Sequence, residues 1–168
     1  MPLAGIPNLE VVDIAGFKAA LGTWASGVTV ITAATEDGPI GMAASSFSSV
    51  SLDPPLVMFC PAQSSSSWTQ MRRADRFGVN ILANDQAEVS NVFARPGERF
   101  SQIAWEPSAA GVPVIAGVAA YIECAFDAVH PAGDHDIVIG RITHVGVAGA
   151  ADPLLYFRGK YGRFAAAE

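Results

Sequence analysis

The chain has 168 residues, of which 51% are hydrophobic, and this composition can build the core of one domain of common size. Its net charge of −6 disfavours a nucleic-acid groove, which needs clustered Lys and Arg, and it disfavours electrostatic docking on a membrane. The longest uncharged apolar run, residues 111–122, is shorter than the roughly 20 residues that a membrane helix needs. We therefore expect a single domain over residues 1–168, with neither a nucleic acid nor a membrane as partner.

The two cysteines, Cys60 and Cys124, stand far apart in apolar contexts, which indicates buried reduced thiols and a cytoplasmic location. The chain has no CxxC pair, so the sequence supports neither a zinc ribbon nor a thioredoxin-like site. No basic segment followed by an apolar one begins the chain, and no secretory signal is predicted. Residues 1–12 carry prolines without a period and are expected to form a loose arm.

The first periodic segment predicts a helix that Asp13 caps and that Gly27 ends. Its apolar residues recur at helical spacing: Ile14, Phe17, Leu21 and Trp24. Extended segments follow, and their links are too short for parallel crossovers, which predicts an antiparallel meander. The predicted strands are 28–33, 40–51 (one strand or a bent pair) and 56–60, with a turn at 36–39.

The second half predicts two short helices, one over 68–74 and one that Asn84 or Asp85 caps and that runs to about Phe93. Residues 94–117 read as a long irregular connection, which is typical of a loop over a site or at an interface. The remaining predicted strands are 77–82, 118–129, 137–147 and 154–157, with a hairpin tip at 130–136. So many antiparallel strands usually close into a barrel that hides their edges, and the sequence predicts a mainly β fold.

The stretch 41–57 is the most unusual part of the chain. It begins with small residues, continues with serines and ends in Asp53-Pro54-Pro55, which cannot lie inside a central strand because proline has no N–H for the ladder. A wall of hydroxyls and amides suits a flat, polar, phosphate-bearing ligand. A serine-rich edge strand facing water explains the same residues equally well.

A second serine run, 64–67, precedes the predicted helix at 68–74 and three arginines: Arg72, Arg73 and Arg76. Hydroxyls at a helix N-terminus can hold a phosphate, and an arginine can add charge. On the residues alone, helix capping and solvated serines are the better explanation of this run.

Other chemistries find no support in the sequence. There is no Gly-x-Gly-x-x-Gly or Walker loop, no Gly-x-Ser-x-Gly elbow, and no pair of carboxylates suited to glycoside hydrolysis. His130, His135 and His144 fit no standard ligand spacing, so no metal is predicted. The tip Gly133-Asp134-His135, taken alone, reads as a plain hairpin turn with an exposed histidine.

Several motifs, in their order along the chain, resemble those of the flavin reductase-like family, the reductase components of two-component flavin monooxygenases. They are Gly-Val-Thr-Val-Ile-Thr at 27–32, the pattern small-Ala-Ser-Ser-Phe-x-Ser-Val-Ser-Leu-Asp-Pro-Pro-Leu-Val at 43–57, Phe-Gly-Val-Asn-Ile-Leu at 77–82, Gly-Asp-His at 133–135, and Pro-Leu-Leu-Tyr at 153–156 with Gly159 and Tyr161. The resemblance covers residues 17–161. It implies an antiparallel Greek-key split β-barrel with a few short helices.

The same resemblance implies the site residues. Those expected along the flavin are Pro39, Ile40, Gly41, Met42, Ala43, Ser45, Ser46, Cys60, Pro61, Ala62 and Phe93, with Ser66 and Ser67 on the phosphate side. Those expected at the pyridine nucleotide are Gly133, Asp134, His135 and Tyr161. His135 is expected to orient the nicotinamide and not to act as an obligatory base, because hydride transfer itself needs no protein acid or base.

The implied activity is that of an NAD(P)H-dependent flavin reductase, an oxidoreductase that reduces FMN or FAD and supplies a separate monooxygenase. The resemblance also implies a homodimer. FMN versus FAD stays open, and NADH is favoured over NADPH because no basic pair accompanies the tip. The alternatives are a split barrel that keeps its flavin as a fixed group, a non-enzymatic flavin- or haem-binding barrel, and an interaction domain without a cofactor.

Overall fold

The computed structural model describes residues 11–149 and 151–167, so the loose arm predicted for residues 1–12 lies mostly outside the described residues. The helices are α1 (Ile14–Leu21), α2 (Ser66–Met71) and α3 (Ala87–Ala94), with a 3-10 turn at Phe100–Gln102. The strands are β1 (Ser26–Gly27), β2 (Thr29–Thr35), β3 (Gly38–Ala44), β4 (Ser48–Leu52), β5 (Pro55–Phe59), β6 (Arg76–Ile81), β7 (Trp105–Pro107), β8 (Pro113–Ile115), β9 (Ala120–Ala132), β10 (His135–Val147), β11 (Leu154–Phe157) and β12 (Lys160–Arg163). None of the helices in the described part of the chain is long and apolar enough to cross a membrane.

Seven strands form the main sheet, in the order β3-β2-β6-β9-β10-β5-β4, and all neighbours are antiparallel. A flat sheet of this width would hold its edges about 29 Å apart. The two edge strands, however, are joined by residues 45–47 alone, a link that spans at most about 14 Å. The sheet must therefore curl on itself, and the result is a barrel that is split between β3 and β4. The mainly β, antiparallel prediction is confirmed.

Two smaller sheets flank the barrel. One has the order β1-β11-β12 and the other is the hairpin β7-β8. The hairpin corrects the prediction of an irregular connection over 94–117. Its two strands have three residues each, so an alternation of apolar and polar residues is too short to be recognised among the surrounding prolines and glycines.

The longest element is the ribbon of β9 and β10. Its ladder continues to the rung Ala132–His135, so the predicted tip at 130–136 shrinks to a turn of two residues. Gly133 has φ +66 and Asp134 has an ordinary negative φ, the combination that a two-residue type II′ turn requires. The two strands therefore begin and end closer to the tip than their apolar pattern predicts.

Of the predicted helix ends, the N-terminus of α1 is confirmed, whereas the C-terminus of α1 and the N-terminus of α3 differ from the prediction. Asp13 caps α1 as predicted, because its carboxylate accepts from Gly16 N at 2.6 Å. Gly22, and not Gly27, stands at the C-cap of α1. The N-cap of α3 is Gln86, and not Asn84 or Asp85.

The core lies in two clusters. The larger fills the barrel around Phe59, Trp68 and Phe77, whose rings meet edge to face at 5.3–5.9 Å. The smaller packs α3 and β8 against the outside of β2 around Phe93 and Phe100. These two clusters fix α2 and α3 on either side of β3, where the candidate site lies.

Candidate functional site

The predicted wall lies on β3 and on the link that follows it. Gly41 is buried, residues 42–44 are half-buried and Ser45 is exposed. Because β2 is the one strand that pairs with β3 in the described part of the chain, the outer edge of β3 carries peptide groups that no described strand satisfies. The Ser46 hydroxyl accepts from Cys60 N at 2.9 Å, and it thereby fastens the end of the wall to the end of β5.

Gly41 and Phe93 meet behind this wall. A Cβ at residue 41 would stand 2.6 Å from Phe93 Cε1, so the position accepts only glycine without a shift of the ring. Phe93 is 2% exposed and belongs to the outer core cluster. Phe93 therefore supports the wall from behind, at Gly41.

A cavity of about 380 Å³ lies beside the wall, between β3, α2 and the loop before the 3-10 turn. Five predicted flavin residues line it: Pro39, Ile40, Gly41, Ser66 and Ser67. Arg99 also lines it, and sequence reasoning missed this residue because only the arginines beside the second serine run were considered. Its place in the long connection over 94–117, which was expected to close over a site, is the one signal that could have found it.

The Arg99 guanidinium bridges the wall and α2. Its Nη1 donates to Gly41 O at 3.0 Å and to Ser67 Oγ at 2.9 Å, and its Nε donates to Arg95 O. These bonds leave Nη2 available for a ligand. Among the described residues Arg99 makes no ion pair, because the neighbouring Glu98 carboxylate accepts from Ser101 and from Phe100 N, contacts that lower the pKa of Glu98.

At the hairpin tip, Asp134 and His135 form a pair. The Asp134 carboxylate lies 2.7 Å from His135 Nδ1, and this hydrogen bond lowers the pKa of Asp134. The Asp134 side chain is 94% exposed, whereas that of His135 is 45% exposed. Because Nδ1 is occupied, Nε2 is the ring nitrogen that remains for a ligand.

The tip packs directly on the segment that follows β5. Gln63 N donates to Asp134 O at 2.9 Å, and Asp136 N donates to Pro61 O at 3.0 Å. Ala62 and His135 form a β-bridge between these bonds. The fold thus brings together the predicted flavin residues at 60–62 and the predicted nucleotide residues at 133–135, about 70 residues apart in the chain.

Asp136, to which sequence reasoning gave no role, joins this contact to α2. It is 4% exposed, and its two oxygens accept from Gln63 Nε2 at 3.0 Å and from Trp68 Nε1 at 2.8 Å. The Trp68 and Gln63 hydrogen bonds lower the pKa of Asp136, and Arg72 lies 3.8 Å away. The available signal is an acid directly before the apolar run at 137–139.

Tyr161 lies elsewhere. Its hydroxyl is 3.0 Å from both Ser90 Oγ and Asn91 Oδ1 on α3. Its ring lines a cavity of about 210 Å³ whose other wall includes Ala43 and Ser45. The structure therefore groups Tyr161 with the wall, and the contacts of the described residues do not join it to the tip.

The remaining candidates are placed apart. Cys60 is half-buried and Cys124 is buried, both as free thiols, and burial raises the pKa of each, that of Cys124 to about 12. His130 and His144 are exposed at different points of the β9–β10 ribbon. In residues 11–149 and 151–167, no three His, Cys, Asp or Glu side chains are grouped as metal ligands.

An antiparallel split barrel with a hydroxyl-lined wall and a Gly-Asp-His tip is the arrangement that the sequence motifs imply. Residues 21–165 match the model of the flavin reductase like domain, and the chain belongs to this family. The resemblance read from the motifs is therefore confirmed.

Individual relatives agree. The FMN reductase (NADH) SmoA of Agrobacterium fabrum is 46% identical over 148 residues, which cover 88% of this chain and 84% of that protein. The reductase subunit HsaB of a flavin-dependent monooxygenase of Mycobacterium tuberculosis is 41% identical over 153 residues, covering 89% and 82%. A Streptomyces globisporus NADH:FAD oxidoreductase, solved with NAD and FAD fragments, superposes with a TM-score of 0.88 at 32% identity, over 94% of this chain and 98% of that one.

Proposed function

We propose that this protein is an NADH-dependent flavin reductase that reduces FMN or FAD and supplies the reduced flavin to a separate flavin-dependent monooxygenase. The observation that carries the proposal is the contact between residues 60–63 and the tip at 133–136, which brings the two predicted ligand sites together. When NADH and the flavin are bound, they supply the chemistry themselves, which is the transfer of a hydride from the nicotinamide to the flavin. The chain has to bind and orient the two ligands.

The residues around the wall fit a flavin. Gly41, Ala43 and Ala44 let a flat ring approach the backbone of β3 closely. Ser66, Ser67 and the Nη2 of Arg99 offer donors to a phosphate. The cavity beside them is about 380 Å³, which is in the range of small-molecule sites. Both flavins share this phosphate, so the site takes FMN or FAD.

The tip residues Gly133, Asp134 and His135 are proposed to hold the nicotinamide. Asp134 holds the imidazole through Nδ1, so that His135 can offer Nε2 to the carboxamide and orient the ring. No Lys or Arg lies within residues 130–136, which favours NADH over a nucleotide with a 2′-phosphate. Tyr161 is proposed to act at the wall end of the same site, beside Ser45.

A homodimer is part of the proposal. None of the residues of α1 is buried, although the helix carries Ile14, Phe17 and Leu21, each more than half exposed. Trp24 is 76% exposed just beyond it. Soluble monomers rarely leave such a patch uncovered. Phe17 and Leu21 border a cavity of about 670 Å³ that also contains Ser45 and Ser46, so a second copy would lie beside the wall.

Two free thiols support a cytoplasmic location, where disulfides are rare.

The dimer is tested by light scattering after size exclusion. Phe17→Glu, on the exposed face of α1, should give monomers. The control Arg73→Glu changes an exposed residue that does not line that cavity and should leave the dimer intact.

The activity is tested by following NADH consumption by the purified protein with and without added FMN or FAD. Consumption that saturates with added flavin establishes a reductase that treats flavin as a substrate. No consumption together with retained yellow colour contradicts the proposal in favour of a fixed or stored flavin. No consumption and no flavin binding leaves an interaction barrel.

A further inference from the structure

We propose that Asp136 is a positioning residue, whose buried carboxylate holds the Gly133–His135 tip in register with residues 60–63 and with α2. Through this register it sets where the nicotinamide lies relative to the flavin. The inference rests on the proposed function and adds a residue to it.

The carboxylate connects three separate segments. Trp68 Nε1 on α2 donates to Oδ2, and Gln63 Nε2 donates to Oδ1. The same Gln63 amide donates to His135 O at 3.2 Å, so one side chain reaches both the acid and the backbone of the tip. Asp136 itself follows His135 directly and donates its own N–H to Pro61 O.

Among small side chains, only a carboxylate can accept hydrogen bonds from both Gln63 and Trp68. Both of its oxygens face donors, and an amide of the same shape would present a donor to one of them. Asp136 is 4% exposed, and a charge so buried persists only where hydrogen bonds and a counter-charge accompany it. Arg72 supplies that charge at 3.8 Å, and its guanidinium also stacks over Trp68 at 5.5 Å.

The position of Asp136 makes its effect specific. On one side stands His135, proposed to orient the nicotinamide, and on the other stands α2, which begins with Ser66 and Ser67. The serines have independent supports, since Ser65 caps α2 and Arg99 binds Ser67. Loss of the carboxylate should therefore displace the tip and leave the flavin side in place. A displacement of about 1 Å at a reacting pair is enough to cost up to about a hundredfold in rate.

The test compares Asp136→Asn, Gln63→Ala and the control Asp127→Asn. Asp127 is an exposed acid on the same ribbon, and its ion-pair partner among the described residues is Arg141. Steady-state kinetics give kcat and the KM for NADH, quenching of FMN fluorescence gives the Kd for FMN, and calorimetry gives direct binding of NADH. Gln63 is exposed, so its variant should fold even where a change at residue 136 does not.

We expect Asp136→Asn to raise the KM for NADH about tenfold and Gln63→Ala to raise it about threefold, with the Kd for FMN within about twofold of wild type. The double variant should be less impaired than the product of the two effects, because both changes break one network. Asp127→Asn should match wild type.

An unchanged KM for NADH in both variants, with only a lower Tm or a smaller active fraction, overturns the inference and leaves Asp136 a structural residue. Equal losses of NADH and FMN affinity overturn it as well. If the wild-type chain binds NADH without oxidising it, the proposed function fails, and the calorimetry still decides the role of Asp136. If it does not bind NADH, both fail.

Discussion

Two buried carboxylates stand on the β9–β10 ribbon, one near each end, and they are held in different ways. Asp136 lies beside the tip and is 4% exposed, whereas Glu123 lies near the base and is 3% exposed. His144, the cross-strand partner of Glu123, is about 26 Å from Asp136 along the strand. Both oxygens of Asp136 receive hydrogen bonds, whereas Glu123 Oε1 receives none from the described residues.

The Glu123 end is a fastening for the β7–β8 hairpin. Ser108 donates to Glu123 Oε2 at 2.6 Å, and the same hydroxyl accepts from Ala110 N and Val112 N in the hairpin loop. Arg76 Nη1 and His144 Nδ1 approach Oε1 only to 3.5 Å. Burial and the charge of Glu123 raise the pKa of the nearby Tyr121 hydroxyl, which also has no hydrogen-bond partner among the described residues.

This difference indicates at which end of the ribbon the position of the chain has to be held accurately. At the tip, three segments meet through an acid whose two oxygens both accept hydrogen bonds, and this restricts the relative positions of the segments. At the base, Glu123 has one oxygen that accepts no hydrogen bond from the described residues. The β7–β8 hairpin that it contacts is also held by core packing and by hydrogen bonds with Thr32 and Asn80. We infer that the tip end acts on ligand geometry, while the base end acts on stability alone.

The largest expected effect is a difference in thermal stability between variants at the two ends of the ribbon. Asp136→Ala leaves the buried Trp68 Nε1 without an acceptor and should lower the Tm by about 5–10 °C. Glu123→Ala releases Ser108 and Arg76, which both reach solvent, and should lower it by about half as much. Thermal unfolding followed by circular dichroism measures both, with Asp127→Ala as the control. A larger loss at Glu123 would reverse the comparison.

The second prediction concerns the proposed phosphate site of the flavin, where Arg99 binds Ser67 at the start of α2. Arg99→Ala removes the cation beside Ser67 and should weaken FMN binding about tenfold to a hundredfold, because hydrogen bonds from charged groups to phosphate are strong. The KM for NADH should stay within about twofold. FMN fluorescence titration measures the first quantity. Arg95→Ala is the control, since Arg95 contributes only its backbone carbonyl to this contact; equal losses in both variants would count against a phosphate role.

Local signals in the sequence predicted much of this fold. Asp13 as a cap, the serines before α2 and the runs predicted as strands 118–129 and 137–147 are local signals, and all three reappear in the structure. The bent pair at 40–51 also appears, as β3 and β4.

The residues that complete the site could not be predicted, because their partners are distant in sequence. Asp136 meets Trp68 across 68 positions, and Arg99 meets Gly41 across 58. Such contacts depend on the register of β9 with β10 and on the closure of the barrel, which no short motif encodes. The Gly-Asp-His motif predicted the tip at 133–135, but it gave no role to Asp136, the residue that follows it.

A third prediction uses a matched pair of histidines. His135 at the tip and His144 at the base both lie beside an acid on the same ribbon. His135→Ala should raise the KM for NADH about three- to tenfold, because one hydrogen bond and the orientation of the ring are lost. It should not introduce a new step in the pH profile of kcat, since no proton passes through it. His144→Ala should change neither. If KM and kcat both stay unchanged in His135→Ala, the positioning role is wrong.

The smallest effect is a pH dependence that only the tip end should show. The hydrogen bonds from Trp68 and Gln63 lower the folded-state pKa of Asp136 below its unfolded value of about 3.9. The stabilisation is therefore complete above that unfolded value and is lost as the pH falls through the lower folded pKa. Asn at residue 136 cannot titrate, so the difference in Tm between wild type and Asp136→Asn should shrink as the pH is lowered from about 5 to about 3. Thermal unfolding at several pH values measures this difference, with Asp127→Asn as the reference. A difference that stays constant over the range would mean that the ionised form of Asp136 does not stabilise the contact between the tip and α2.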